Sequence, residues 1–305
     1  MKIAVIGAGA MGSLFGAYLS KKNEVYMIDV NKSVVDSINE NGLNIFEKDI
    51  QKTVNYKVPA VYDSSQLGEM DLVIMFVKTI YNITSLENNK NLFGHDTLVM
   101  TLQNGAGNDR DLAQFVKKEN IFIGTTEHNC LNKGNGNIEH NSAGVTNIGM
   151  VEFDHAKVSA LVETFSKCCF KTQIYENIQE IIWRKLFVNM SLNPVTAILG
   201  CKAGYLDENQ FASNIVNHIL SEAVEVANAD GRDFDKFEII SNVKEQISGQ
   251  FAGILTSMNQ DITNRRLTEI DYINGAVVLA AKEYGIPTPY NEMIVNLVHA
   301  TEGLY

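Results

Sequence analysis

The sequence predicts two domains of different class: an α/β domain built from parallel βαβ units, then an all-helical domain. Three observations carry this. Short apolar strands alternate with helical patterns through the first half. A glycine-rich turn, Gly7-Ala8-Gly9-Ala10-Met11-Gly12, follows the first strand. From residue 177 onward, strand patterns give way to long helical ones. The strands read at 2–6, 24–29, 72–77, 97–102 and 121–125, with helices at about 10–21, 31–41, 79–88 and 108–116. This alternation is what parallel strands with helices on both sheet faces produce. A β-rich stretch at 133–151 is cut into hairpin-like pieces by Gly134, Gly136, Gly144 and Gly149. A helix near 156–168 and a strand near 170–174 close the domain. Helical patterns then fill 177–198, 208–229, 234–248, 264–285 and 291–303. The expected domains are 1–172 and 173–305, with a tight junction that suits a cleft between them.

Composition narrows the function. The chain has 305 residues, 45% hydrophobic and 20% charged, enough for two sizeable cores. A net charge of −11 and a pI near 5.0 argue against nucleic acid or an anionic membrane as partner. Met1-Lys2 leads straight into a strand, so no targeting segment is expected, and no run nears the ~18 apolar residues that span a bilayer. Cys130, Cys168, Cys169 and Cys201 lack a CxxC spacing, and the six histidines form no ligand pair. The expectation is a cytoplasmic protein with reduced thiols and no metal.

The glycine turn gains its meaning from its setting between a strand and a helix, with a second strand following. Gly7 permits the tight turn, Gly9 lets the backbone approach a pyrophosphate, and Gly12 lets helix and strand pack closely. The helix opening at Ala10 and Met11 offers N–H groups and a partial positive charge to phosphates. Asp29, 22 residues after Gly7, is placed to accept hydrogen bonds from ribose hydroxyls and to repel a 2′-phosphate. It could instead cap the helix over 31–41. NAD is therefore the preferred cofactor, with Lys32 leaving NADP within reach.

In the second half, residues 181–194 form a helix that is apolar nearly all round, the mark of a buried helix. Lys185, Asn189 and Asn193 nevertheless recur at a four-residue spacing on one face. A buried ammonium with two amides in line is costly without a partner or ligand, so this face reads as one wall of a polar site. Lys78 and Asn104-Gly105 sit where strands end, the usual ligand edge, or are plain strand termini. Glu269 is placed on the inner face of the 264–285 helix with Ile273, Ala276 and Val277. There it would serve as an acid–base partner of Lys185 or as a structural ion pair.

These motifs together resemble the ketopantoate reductase family over nearly the whole chain. The matching segments are GAGAMG at 7–12, Lys78, NGAG at 104–107, WRKLFVNMSLNPVTAI at 183–198, SMNQDI at 257–262 and LTEIDYINGA at 267–276. The resemblance implies a Rossmann-type domain followed by a helical domain of the 6-phosphogluconate-dehydrogenase C-terminal type, with substrate between them. It implies Lys185 as the lysine that protonates the ketone oxygen and Asn189 and Asn193 as substrate-binding amides. Ser257 would hold the substrate's carboxylate end, and Glu269 would position cofactor and active-site groups. Lys78 and Asn104 would lie near the nicotinamide and its ribose, Asn104 also touching substrate. The implied product is a D-2-hydroxy acid.

Three departures from the family pattern refine this. Asp29 is followed by Val30, where NADP-using relatives place an arginine, which favours NADH. Ile254 and Ala203 stand where asparagines are usual. Ketopantoate carries a 4-hydroxyl, and losing two amides removes its partners, so a branched aliphatic or aromatic 2-oxo acid is expected as substrate. This resembles the family's NAD-dependent D-2-hydroxyacid (mandelate or hydroxyisocaproate type) dehydrogenases. Reduction of 2-dehydropantoate to (R)-pantoate is the alternative. A sugar-phosphate dehydrogenase would want more cations than Arg184, Lys185 and Lys202 around 181–205. A non-catalytic NAD sensor would not need Lys185, Asn189, Ser257 and Glu269 together. Apolar surface on the C-terminal helices would suit a homodimer without demanding one.

Overall fold

The computed structural model describes residues 1–305 in two units: Met1–Gln103 with Asn108–Ile178, and Gln179–Tyr305 with Asn104–Gly107. The first unit begins β1 (Lys2–Ile6), α1 (Ala10–Leu19), β2 (Glu24–Ile28), α2 (Lys32–Asn41), β3 (Leu43–Glu47), β4 (Lys52–Tyr56) and β5 (Ala60–Val61). It continues with β6 (Leu72–Met75), α3 (Asn82–Asn88), β7 (Leu98–Thr101), α4 (Asn108–Leu112) and β8 (Ile121–Thr126). β9 (Asn129–Gly134), β10 (Asn137–Ser142), β11 (Val145–Met150), α5 (His155–Lys167) and β12 (Lys171–Ile174) complete it.

Eight strands form one sheet in the order β12-β11-β8-β7-β6-β1-β2-β5. β11 runs antiparallel to β8 and every other neighbouring pair is parallel. β6 is buried throughout and β1 nearly so, as apolar runs covered on both faces must be. The chain steps from β1 to β2 on one side and resumes at β6 on the other. The strand order thus reverses between β1 and β6, where doubly wound sheets bind ligands at their carboxyl edge.

A second sheet, β4-β3-β10-β9, went unseen in the sequence because β3 pairs with β10 from some ninety residues away. It covers α1, which touches β1 and β2 on one side and β3, β9 and β10 on the other. Phe15 of α1 anchors this layer, stacked on Phe170 with ring centroids 4.4 Å apart. Beneath it, His140, 4% exposed, lies 2.6 Å from Glu47 Oε2 and 3.0 Å from His128 Nδ1. Burial and the neighbouring His140 push the His128 imidazole down to about 4.

The second unit comprises α6 (Gln179–Leu199), α7 (Tyr205–Glu208), α8 (Gln210–Ala229), α9 (Lys236–Ser248), α10 (Ser257–Thr263), α11 (Asn274–Tyr284) and α12 (Pro289–Glu302). α6 is its axis, packed against α8, α9, α10 and α12, with Phe187 and Met190 completely buried. Pro194 lies inside α6 and has no N–H for the carbonyl of Met190 four residues earlier. The Asn274 side chain donates to that carbonyl instead, at 3.2 Å, and also to Asn291 Oδ1 at 3.0 Å. At the start of α12, the Glu222 carboxylate accepts from the N–H groups of Tyr290 and Asn291, at 2.9 and 3.0 Å. A carboxylate there satisfies orphan donors and complements the helix dipole.

The helix expected over 264–285 is broken. α10 closes at Asn264 with Arg265 in the left-handed region, φ 53°. Its N–H donates to Ile262 O and the Arg266 N–H to Asp261 O, the two bonds of a Schellman end. A glycine usually fills that position, so the arginine concealed the stop. Irregular backbone and one 3₁₀ turn, Ile270–Tyr272, separate it from α11.

Candidate active site

In the α/β unit the site begins with the three glycines. Gly7 has φ +103°, and a Cβ there would lie 2.7 Å from the backbone of Phe76 and Val77, just past β6. At Gly12 a Cβ would overlap the carbonyl oxygen of Gly7. Gly9 differs: nothing lies within 4 Å of its Cβ position, so the chain leaves open space there. Ala10 and Met11 form the first turn of α1, whose N-terminus has no side-chain cap and no acidic residue. Backbone, open volume and dipole therefore fit a pyrophosphate at this turn.

Asp29 follows β2, and its carboxylate accepts from the N–H of Ala8 at 2.8 Å and of Asn31 at 2.9 Å. The cap of α2 is Asn31, whose side chain accepts from Ser33 N, so Asp29 does not play that part. Beside it opens a cavity of about 500 Å³ at the carboxyl ends of β1 and β2. Its wall includes Gly7, Asp29, Tyr62, Asp63, Tyr81 and Asn88, two carboxylates in all and no lysine or arginine. The Lys32 ammonium lies 4.7 Å from the centre of the Tyr62 ring, a cation–π distance.

Lys78 is half-buried three residues beyond β6, at the start of a 3₁₀ turn. The backbone there is held by Gln103, whose amide donates to Val77 O at 2.6 Å and to Asn82 Oδ1 at 2.8 Å. Asn82 in turn donates to Asn108 and Asp111, 2.9 Å each.

In the helical unit, Lys185, Asn189 and Asn193 lie one above another on α6, the first two half-buried and Asn193 7% exposed. All three precede Pro194, so the ladder occupies regularly bonded helix. Ser257 is exposed as the first residue of α10. That helix is tied to the last turns of α6: Thr256 and Thr196 hydroxyls are 2.8 Å apart, and Asn259 donates to Thr196 O at 2.8 Å. Ile254 and Leu255 stand 40% and 46% exposed just before it. Ala203 is fully buried in the helical core, its N–H donating to Ile254 O, so it lines no pocket wall as expected of it.

Glu269 sits in the broken segment, half-buried, not on a helix with Ala276 and Val277 as the sequence suggested. Its carbonyl accepts from Tyr272 N and Ile273 N. Asn104 to Gly107 belong to this unit: Ala106 N donates to Tyr272 O at 2.8 Å. Gly105, φ +89°, passes so close to that oxygen that any Cβ would overlap it.

The model of the family "Ketopantoate reductase PanE/ApbA" matches residues 3–152, and that of its C-terminal domain matches 177–302. The chain belongs to the ketopantoate reductase family. It is therefore an NAD(P)-dependent oxidoreductase of CH–OH donors. The 2-dehydropantoate 2-reductase of Streptococcus pyogenes serotype M6 is 34% identical over 307 residues, covering 100% of this chain and 99% of that one. The enzyme of that name from Lactococcus lactis is 34% identical over 308 residues, with the same coverage. Among solved structures, D-mandelate dehydrogenase with NADH and anilino(oxo)acetate is 35% identical with a TM-score of 0.91, covering 99% of this chain and 98% of that one.

Within this family fold, sequence reasoning missed the cavity wall at Tyr62 and Asp63, which lie in a loop without motif or periodicity, and at Tyr81, which closes a 3₁₀ turn at the start of the expected 79–88 helix. It also missed Asn274, whose part is visible only once Pro194 is seen inside a helix. No group of three or more His, Cys, Asp or Glu side chains is placed to hold a metal, and the four cysteines are free. No helix is long and apolar enough to cross a membrane.

Proposed function

We propose that the protein reduces 2-oxo acids with branched aliphatic or aromatic side chains to D-2-hydroxy acids, using NADH. The observation that carries the substrate class is the apolar pair Ile254 and Leu255, exposed beside Ser257 where an amide would serve a substrate hydroxyl. The 35% identity to D-mandelate dehydrogenase over 99% of the chain supports the same class. For the cofactor, Asp29 and Asp63 line the ribose end of the cavity with no cation on its wall, which suits a 2′-hydroxyl and repels a 2′-phosphate. Gly7, Gly9, Ala10, Met11 and Gly12 would hold the pyrophosphate, and Lys78, Asn104 and Glu269 the nicotinamide end.

The nicotinamide, when bound, supplies the hydride. Negative charge then grows on the substrate's carbonyl oxygen. The Lys185 ammonium stabilises that oxygen and gives it a proton, acting as general acid. Asn189 and Asn193, fixed on the same face of α6, donate to the carbonyl and carboxylate, and Ser257 anchors the carboxylate end. Glu269 orients the lysine.

A second reading, reduction of 2-dehydropantoate, is favoured by the names of relatives that match 100% of the chain. The test is kcat/KM for phenylglyoxylate, 2-ketoisovalerate and ketopantoate, each with NADH and NADPH. The proposal expects either of the first two to win with NADH, and Ile254→Asn to move the ratio toward ketopantoate. A site built to bond the 4-hydroxyl would discriminate for it by about 10⁴–10⁵. Ketopantoate winning on that scale establishes the second reading, and NADPH winning overturns the cofactor assignment.

A further inference from the structure

The segment from Asn264 to Ile273 carries Glu269 and lies outside any α-helix. One tether, beside the bond from the Ala106 N–H to Tyr272 O, comes from the last turn of α12. Glu302, whose side chain is 8% exposed, accepts from the Thr268 N–H through Oε1 at 2.7 Å. Its other oxygen faces His299 Nδ1 at 2.8 Å, and His299 Nε2 faces Asp271 Oδ1 at 2.9 Å. One imidazole thus bridges two carboxylates: Asp271, two residues after Glu269, and Glu302, which holds the N–H of Thr268 just before it. Thr268 and Ile270 are 2% and 0% exposed, so the backbone on either side of Glu269 is pinned by burial as well.

We propose that His299 and Glu302 are positioning residues: the doubly donating imidazolium locks the 268–271 backbone and so fixes the Glu269 carboxylate. This rests on Glu269 serving the reaction as assigned above. A neutral imidazole has one N–H and one lone pair, so it can satisfy only one of its two carboxylate partners. Burial opposes the charged ring, but the hydrogen bonds and charges of Asp271 and Glu302 together outweigh it and raise the His299 pKa above its ordinary 6.5. The other charged and titratable groups around the clamp are the Arg266–Asp261 pair at 3.1 Å and Tyr305, which is raised by burial and by Glu302 and Asp261. Lys282 and Glu292 line the groove beside Asp271. The lock is therefore closed at low pH and opens as pH rises through the His299 pKa.

The test combines pH profiles of kcat with NMR titration of the His299 ring in the intact enzyme, using NADH and the best 2-oxo acid. Wild-type kcat is expected to step down above pH 6.5 as His299 loses its proton. His299→Ala should lie about tenfold lower at pH 6.5, with KM little changed and no step, since small displacements of catalytic groups are expensive. His299→Arg keeps two donors at every pH, so it should restore the rate and show no step between about pH 6 and 8. Glu302→Gln should bring the His299 pKa back toward 6.5. Wild-type kcat and profile in His299→Ala, or a ring titrating at or below 6.5 in the native enzyme, overturns the proposal. Glu269→Gln separates the two layers. If it is fully active, the assignment of Glu269 fails. If it is impaired while His299→Ala is not, only the clamp fails.

Discussion

The proposed cofactor cradle and the polar face of α6 are built on opposite plans. The cradle is main chain: six consecutive residues, three of them glycines, with Asp29 tied to the Ala8 N–H of the same loop at 2.8 Å. The α6 face is side chain, three residues a helical turn apart, supported by Asn274, Thr256 and Asn259 from later helices. A backbone site fails when an atom is added, and a side-chain site fails when one is removed. The two regions should therefore respond to opposite kinds of substitution.

The largest effect is expected at Lys185. Lys185→Ala should lower kcat by a factor of ~10²–10⁴ while leaving the melting temperature and NADH binding near wild type. Steady-state rates and NADH fluorescence titration check it. Full turnover would remove Lys185 from the chemistry.

Next come the glycines, which sharpen the contrast within one loop. Gly12→Ala must displace the Gly7 carbonyl and should cost several kcal/mol of stability, as overpacking and backbone strain do. Gly9→Ala meets no protein atom, so it should melt like the wild type yet bind NADH weakly. Denaturation and cofactor titration distinguish them, and similar stability losses for both would remove the contrast.

A smaller effect belongs to the support beneath α6. Asn274→Ala strips the Met190 carbonyl of its donor and should cost about 1–3 kcal/mol, the usual penalty for a buried polar group left unpaired. Urea denaturation measures it.

The smallest concerns the second sheet. His128 titrates near 4 in the fold against 6.5 when free, so the unfolded chain binds the extra proton between these values. Stability should fall as pH drops from 6.5 to 4, and His128→Gln should flatten that slope in thermal melts. An unchanged slope would place the acid sensitivity elsewhere.

The same division governs what could be read from the amino-acid order. The cradle is contiguous and its strand–turn–helix context is local, so its glycines and Asp29 were visible as a motif. The α6 ladder was visible through its four-residue period on an apolar helix. Long-range pairing left no such trace: β3 and β4 are short and partly polar, and β3 finds β10 only in the fold. The break at Arg265 was hidden because an arginine fills a glycine's conformation. The fate of Ala203 was hidden because a small apolar residue suits a pocket wall and a core equally well.

Pro194 and Asn274 stand eighty positions apart but answer for a single acceptor, the Met190 carbonyl. Their substitutions should therefore be strongly non-additive. Replacing the proline by alanine supplies a peptide donor for that oxygen and frees the amide, after which losing Asn274 should cost much less than in the native background. Proteins descending from a common ancestor would be expected to exchange these two positions as a pair, so the helix that carries Lys185 has a constraint written far beyond its own boundaries.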